Sequence, residues 1–198
     1  MIYPLVSEKI LALKHADDAL RKKLLQQGTL HDGYHEEMEA LHNAHAAALE
    51  LIIKEIGFPT EEKVGPEAVE AAWLIAQHAI GKPVFMRYFA NLMEKAVDKG
   101  AADPILLAYL QDRIAILEGR AQLYGTQFDW DENGEMSPQM VDEPMLVNQR
   151  RKKLGLNSLE EQTQKMRSSV QSEQQKPPKD LALRKSLMEK WRRKVGWN

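Results

Sequence analysis

From Glu70 to Ile80 the chain reads Glu-Ala-Ala-Trp-Leu-Ile-Ala-Gln-His-Ala-Ile, and no other stretch restricts the fold as much. A surface helix carries one apolar stripe, but Ala71 to Ala76 is apolar in every direction. That pattern predicts a helix buried inside a bundle. Gln77 and His78 follow in its last turn, and adjacent helical residues point about 100° apart. Both cannot escape to water through one narrow face. A buried amide or imidazole costs a few kcal/mol unless it is hydrogen-bonded, so the chain must supply partners from elsewhere.

The flanking segments read as helices with clear stops. Ser7 is a candidate cap for a first helix bearing Ile10, Leu11, Leu13, Leu20, Leu24 and Leu25, ended by Gln26-Gln27-Gly28. A second helix is expected from about His31 or Tyr34 to Ile56, stopped by Gly57-Phe58-Pro59-Thr60. Pro66 suits the first turn of the buried helix, which Gly81 should end. Pro83 opens a fourth helix reaching Lys99, and Asp103-Pro104 a fifth reaching Glu118. No stretch shows the sustained alternation of a half-buried strand, so the body is expected to be all-α. Gln122 to Pro144 is predicted to be a long ordered loop with a turn at Glu132-Asn133-Gly134, its order argued from Tyr124, Phe128 and Trp130. Met145 to Leu154 and a helix capped by Ser158 with Glu161 follow. Past a Gln/Ser/Pro segment, Leu181, Leu183, Leu187, Met188, Trp191 and Val195 recur at helical spacing among Lys and Arg. The expected architecture is a single helical bundle around a buried central helix, with a long ordered loop and an amphipathic C-terminal helix. Its boundaries are 1–168 for the helical domain, 169–178 for the linker and 179–198 for the basic helix.

Composition narrows the function. A chain of 198 residues, 43% hydrophobic, can bury one good core. It has no run of roughly 18 apolar residues, so no membrane span is expected, and Met1-Ile2-Tyr3-Pro4 does not resemble a signal peptide. With no cysteine, disulfides, thiolate chemistry and Cys-ligated zinc are excluded. A cytoplasmic protein of bacterial type is the simplest reading. Charge is unevenly placed: 13 basic against 24 acidic residues up to Val147, then 14 against 5 from Asn148 onward. Lys190-Trp191-Arg192-Arg193-Lys194 mixes an aromatic with cations, but one short basic helix is a weak nucleic-acid signal. Docking onto its own body, or onto a second copy to form a homo-oligomer through the C-terminal helix, is the expected use.

Four constellations could carry chemistry. Asp112 and Arg113 sit side by side in an otherwise apolar helix. Antiparallel packing of that helix on the buried one would bring Asp112 to His78, fixing its tautomer and raising its pKa as a general base requires. Gln122-Leu123-Tyr124-Gly125-Thr126-Gln127 clusters donors around a flexible glycine, suited either to holding a ligand or to plugging the bundle. His35, His42 and His45, with Glu39, share one broad helical face. Glu39-x-x-His42 has the spacing of carboxylate-bridged di-metal bundles, but the sequence has no second copy. A single divalent metal held by His35 and His42, with His78 or Asp112, is the remaining metal reading.

These pieces together resemble a bacterial family known only as domain of unknown function 6624. The resemblance rests on Asp32-Gly33-Tyr34-His35 with Met38 and His42, on Gly57-Phe58-Pro59-Thr60 and Val64-Gly65, and on Ala71 to Ala79. It continues through Asp112-Arg113, Gln122 to Gln127, and Arg150-Arg151 before Leu154-Gly155-Leu156, spanning roughly Asp17 to Arg167. The family usually has Trp where Phe58 stands and often Asn where His45 stands, so the resemblance does not carry His45 as a ligand. It implies no activity.

The expected function is a small enzyme acting on a polar or anionic small molecule. His78 would be general acid or base, Asp112 would hold it, and Arg113 would bind an anionic group with its planar fork. Gln77, Gln122, Tyr124, Thr126 and Gln127 would orient the substrate, with Trp73 beside them. Without cysteine or a serine elbow, activated water is favoured over a covalent nucleophile, which points to hydrolysis. The alternatives are a His-ligated metal enzyme, and a non-catalytic interaction protein whose polar interior is structural and whose tail meets an acidic partner.

Overall fold

The structure, a computed structural model, describes residues 1–29 and 34–197. His31, Asp32 and Gly33, which enter the readings above, lie outside the described residues. Two compact units make up the chain, residues 1–103 and 104–198. Both are helical, and the described residues add only a two-stranded antiparallel sheet.

In the first unit α1 (Pro4–Gln27), α2 (Glu36–Ile56), α3 (Glu61–Val64), α4 (Pro66–His78) and α5 (Pro83–Val97) follow in order. As the sequence demands, α4 is central: it packs on α1, α2, α3 and α5. Ala68, Ala71, Ala72 and Ala76 are fully buried, because their small side chains let neighbouring helices approach closely. On α5, Phe85, Met86, Phe89 and Met93 face the core, with the Phe89 ring 5.4 Å from that of Phe58.

Three boundaries differ from expectation. Ser7 does not cap α1: Pro4 occupies the first turn, where its missing N–H costs nothing, and Ser7 lies buried within the helix. α2 begins at Glu36, two residues past Tyr34, the later of its two expected starts, and the ring of His35 takes the cap by accepting the Glu37 N–H. α4 stops at His78, ahead of Gly81, so the sequence from Ala79 to Lys82 forms a turn. The C-terminal end of α2 is closed from outside, since Lys63 Nζ donates to the carbonyls of Ile56 and, at 3.1 Å, Phe58.

The second unit holds α6 (Pro104–Leu117), β1 (Phe128–Trp130), β2 (Met136–Pro138), α7 (Pro144–Lys153), α8 (Leu159–Ser172) and α9 (Leu181–Val195). The segment read as a long ordered loop contains the β1–β2 hairpin, with Asp129 opposite Ser137. Its turn forms at Asp131 to Gly134, where Asp131 Oδ1 accepts the N–H groups of Asn133 and Glu135. Ser158 and Glu161 make the expected capping box at the start of α8. No described helix is long and apolar enough to cross a membrane.

Candidate functional site

α1, α2 and α4 each bring one side chain to a common point. Ile10, Asp17 and Leu24 recur every seven residues on α1 and are all buried, so Asp17 stands in the middle of that helix's apolar stripe. His42 projects from α2 and is 7% exposed. His78 closes α4, and its side chain is 28% exposed. The His78 Nδ1 lies 2.6 Å from Asp17 Oδ2, and the His42 Nε2 lies 3.2 Å from the same oxygen. Ligand atoms of the three residues all fall within 4.8 Å of one another. The two imidazole rings are 4.9 Å apart at 36°.

Tyr34, just ahead of α2, completes the arrangement. Its ring lies 5.7 Å from that of His42, tilted by 25°. Its hydroxyl lies 2.6 Å from His42 Nδ1 and donates to the His78 carbonyl oxygen at 3.3 Å.

Electrostatics decide what such a cluster can hold. Burial alone would push the Asp17 carboxyl up, but the His42 and His78 imidazoles beside it outweigh that and hold the group well below the usual carboxylate range. Asp17 is therefore a buried carboxylate needing positive charge beside it. The His42 Nε2 is buried and makes no aligned hydrogen bond among the described residues, although it is close to Asp17. Two neutral imidazoles would leave the centre with a net negative charge. Either a proton on one ring or a metal cation restores the balance.

The remaining predicted residues fall into other places. His35 caps α2 and is not part of the cluster. Gln77 is buried in α4 beside His78, and Trp73 is half-buried one turn earlier. Asp112, expected to hold His78, spends its carboxylate within the second unit. It accepts the N–H groups of Leu123 at 2.8 Å, Tyr124 at 3.1 Å and Thr126 at 2.9 Å, and the Thr126 hydroxyl at 3.0 Å. Burial pushes its pKa up, and those four bonds pull it back without reversing the shift. The carboxylate at His78 is Asp17 instead. Gln122 is fully buried: its Nε2 donates to the Gln127 and Gln139 carbonyls, and its Oε1 accepts the Gln127 N–H at 2.7 Å. Arg113 Nε donates to Gln127 Oε1 at 3.2 Å, and Gln127 Nε2 to Thr126 Oγ1 at 3.0 Å. Arg151, buried on α7, donates to the Tyr124 carbonyl and to the main and side chains of Asn157. The Tyr-Gly-Thr-Gln turn is thus held by the unit's own side chains. Gly125 there has φ +63°, and a Cβ would sit 2.5 Å from Leu159 Cδ1, which is why glycine is needed.

Sequence reasoning missed Asp17. The signal was present, since an acid at the central position of an Ile-Asp-Leu heptad stripe must be buried with a partner.

The model for a family of unknown function, DUF6624, matches residues 4–171, and the chain belongs to that family. No curated protein matches the chain, and no solved structure does.

Proposed function

We propose that Asp17, His42 and His78 hold one divalent transition-metal ion, and that the chain is an enzyme using it to activate water for hydrolysis of a polar small molecule. The observation that carries this reading is the buried His42 Nε2, without an aligned hydrogen bond among the described residues, converging with His78 Nδ1 on one Asp17 oxygen. Ligands on one tetrahedral ion lie about 3.4 Å apart, given metal–ligand bonds of about 2.1 Å. The observed 2.6 Å and 3.2 Å spacings are shorter than that and would widen on binding, in a cluster whose ligand atoms all lie within 4.8 Å of one another. Two imidazoles and a carboxylate leave further coordination positions for water and substrate, as catalytic sites require, and the partly exposed His78 gives access from solvent. Bound to such an ion, water loses a proton near pH 7 rather than near 16. His78 is then a ligand, not a free base.

A second reading keeps the cluster metal-free. The 2.6 Å contact of His78 with Asp17 favours it, because a carboxylate so placed orients an imidazole for proton transfer. Metal analysis of the untagged full chain separates the two. One equivalent of zinc, iron or a similar ion in the wild type, lost in Asp17→Ala and His42→Ala, supports the metal centre. Metal well below one equivalent, with no uptake of added Zn2+ or Co2+, removes it. A metal-dependent turnover of p-nitrophenyl esters or phosphates would support hydrolysis. Stoichiometric metal with no such turnover leaves the centre standing and removes the hydrolytic assignment.

A further inference from the structure

We infer that Tyr34 is the positioning residue of this centre, fixing which nitrogen of His42 is free to bind; the inference rests on the metal reading above. A phenol has one proton to give and can accept as well. The His78 carbonyl can only accept, and the Tyr34 hydroxyl donates to it at 3.3 Å. With its proton on that carbonyl, the same oxygen accepts from His42 Nδ1 at 2.6 Å, and the lack of any aligned partner for a proton on His42 Nε2 among the described residues favours this arrangement over the reverse one. A neutral His42 with its proton on Nδ1 carries its lone pair on Nε2, the atom that faces Asp17 at 3.2 Å. Two electron-rich atoms so close repel unless a cation lies between them. The phenol therefore does for His42 what a carboxylate or carbonyl does for a metal-bound histidine in other sites: it selects the tautomer and makes the ring a better ligand.

The geometry adds a second effect. One hydroxyl ties the ring of one ligand to the main chain of the other, adding to the direct packing of α2 on α4. The Tyr34 and His42 ring centroids lie 5.7 Å apart with a 25° tilt, so the two rings meet mainly through the hydroxyl. Tyr34→Phe removes the hydrogen bonds and keeps the aromatic ring.

The test uses the full chain, metal-free and at pH 8, and reads the His42 tautomer from long-range 15N–1H correlation spectra. Wild type should show Nδ1 protonated and Nε2 bare. Tyr34→Phe should lose that single tautomer and bind Zn2+ 10–100-fold more weakly in competition with a chromophoric chelator. Its metal-free melting temperature should fall by no more than about 4 °C, the cost of an ordinary hydrogen bond. A wild-type His42 protonated on Nε2 overturns the inference, as does Zn2+ affinity unchanged in Tyr34→Phe. If wild type takes up no Zn2+, the metal reading fails separately, and the tautomer still decides whether Tyr34 sets the ring.

Discussion

His45 lies one turn beyond His42 on α2, 6% exposed, with its Nδ1 buried and lacking a hydrogen bond among the described residues. Burial pushes its pKa down from 6.5, the Asp17 charge pulls it up, and His42 and His78 push it down again, so the net shift is downward. The consequence for stability follows from linkage. Above pH 6.5 the ring is neutral whether the chain is folded or not, and it contributes no pH dependence. As pH falls below that value the unfolded chain takes up a proton that the folded chain resists, so stability declines. The metal-free protein should therefore lose stability from about pH 6.5 downward, and His45→Leu should flatten that limb. Urea melts between pH 5 and pH 8 check it; an equally steep limb in the variant would show that His45 is not the group responsible. Among single residues Asp17 and Tyr34 were the least legible. Both depend on partners on other helices, 25 and 61 positions away in the case of Asp17.

The helices themselves were readable because the chain punctuates them. Pro4, Pro66, Pro83, Pro104 and Pro144 each open a helix in its first turn, and Gly28 and Gly57 end α1 and α2. Where both a serine and a proline offered a start, as at Ser7 and Pro4, local preference could not rank them. The buried face of α1 did: it reaches back to Val6, ahead of Ser7, in line with Ile10, Asp17 and Leu24. The turn after α6 shows the same limit in another form. Its donors were visible in sequence, but their partner, Asp112, became evident only once three N–H groups and a hydroxyl were seen to meet it. Asp112→Ala should leave those donors buried and unpaired, costing about 3 kcal/mol or more. Guanidinium melts measure that loss. A change under about 1 kcal/mol would mean that water satisfies the turn and that Asp112 does not organise it.

For the molecule as a whole, the centre offers a direct measure of coupling between ligand and fold. A cation that binds only the folded chain at a hundred times its dissociation constant stabilises it by about 2.7 kcal/mol. In a chain of this length that corresponds to a rise of roughly 5–10 °C in melting temperature. Added Zn2+ or Co2+ should produce it in the wild type and not in Asp17→Ala; a shift of equal size in the variant would place the metal elsewhere. The all-helical class and the central position of α4 followed from sequence, because apolar periodicity and helix stops act over a few residues. So did the burial of His78's helix and the need for a polar partner near its ring, for which a carboxylate on another helix was the candidate. Which carboxylate answers that need was settled by tertiary structure alone. Asp112 and Asp17 are each a single acid on an apolar helix face, equivalent to any local test. Only packing brings α1 against α4 and α2, and so gives Asp17 to the two histidines while Asp112 is consumed by a turn in its own unit. Helix propensity and periodicity report what each segment buries; the identity of the neighbour depends on contacts between residues far apart in the chain, which no short window contains.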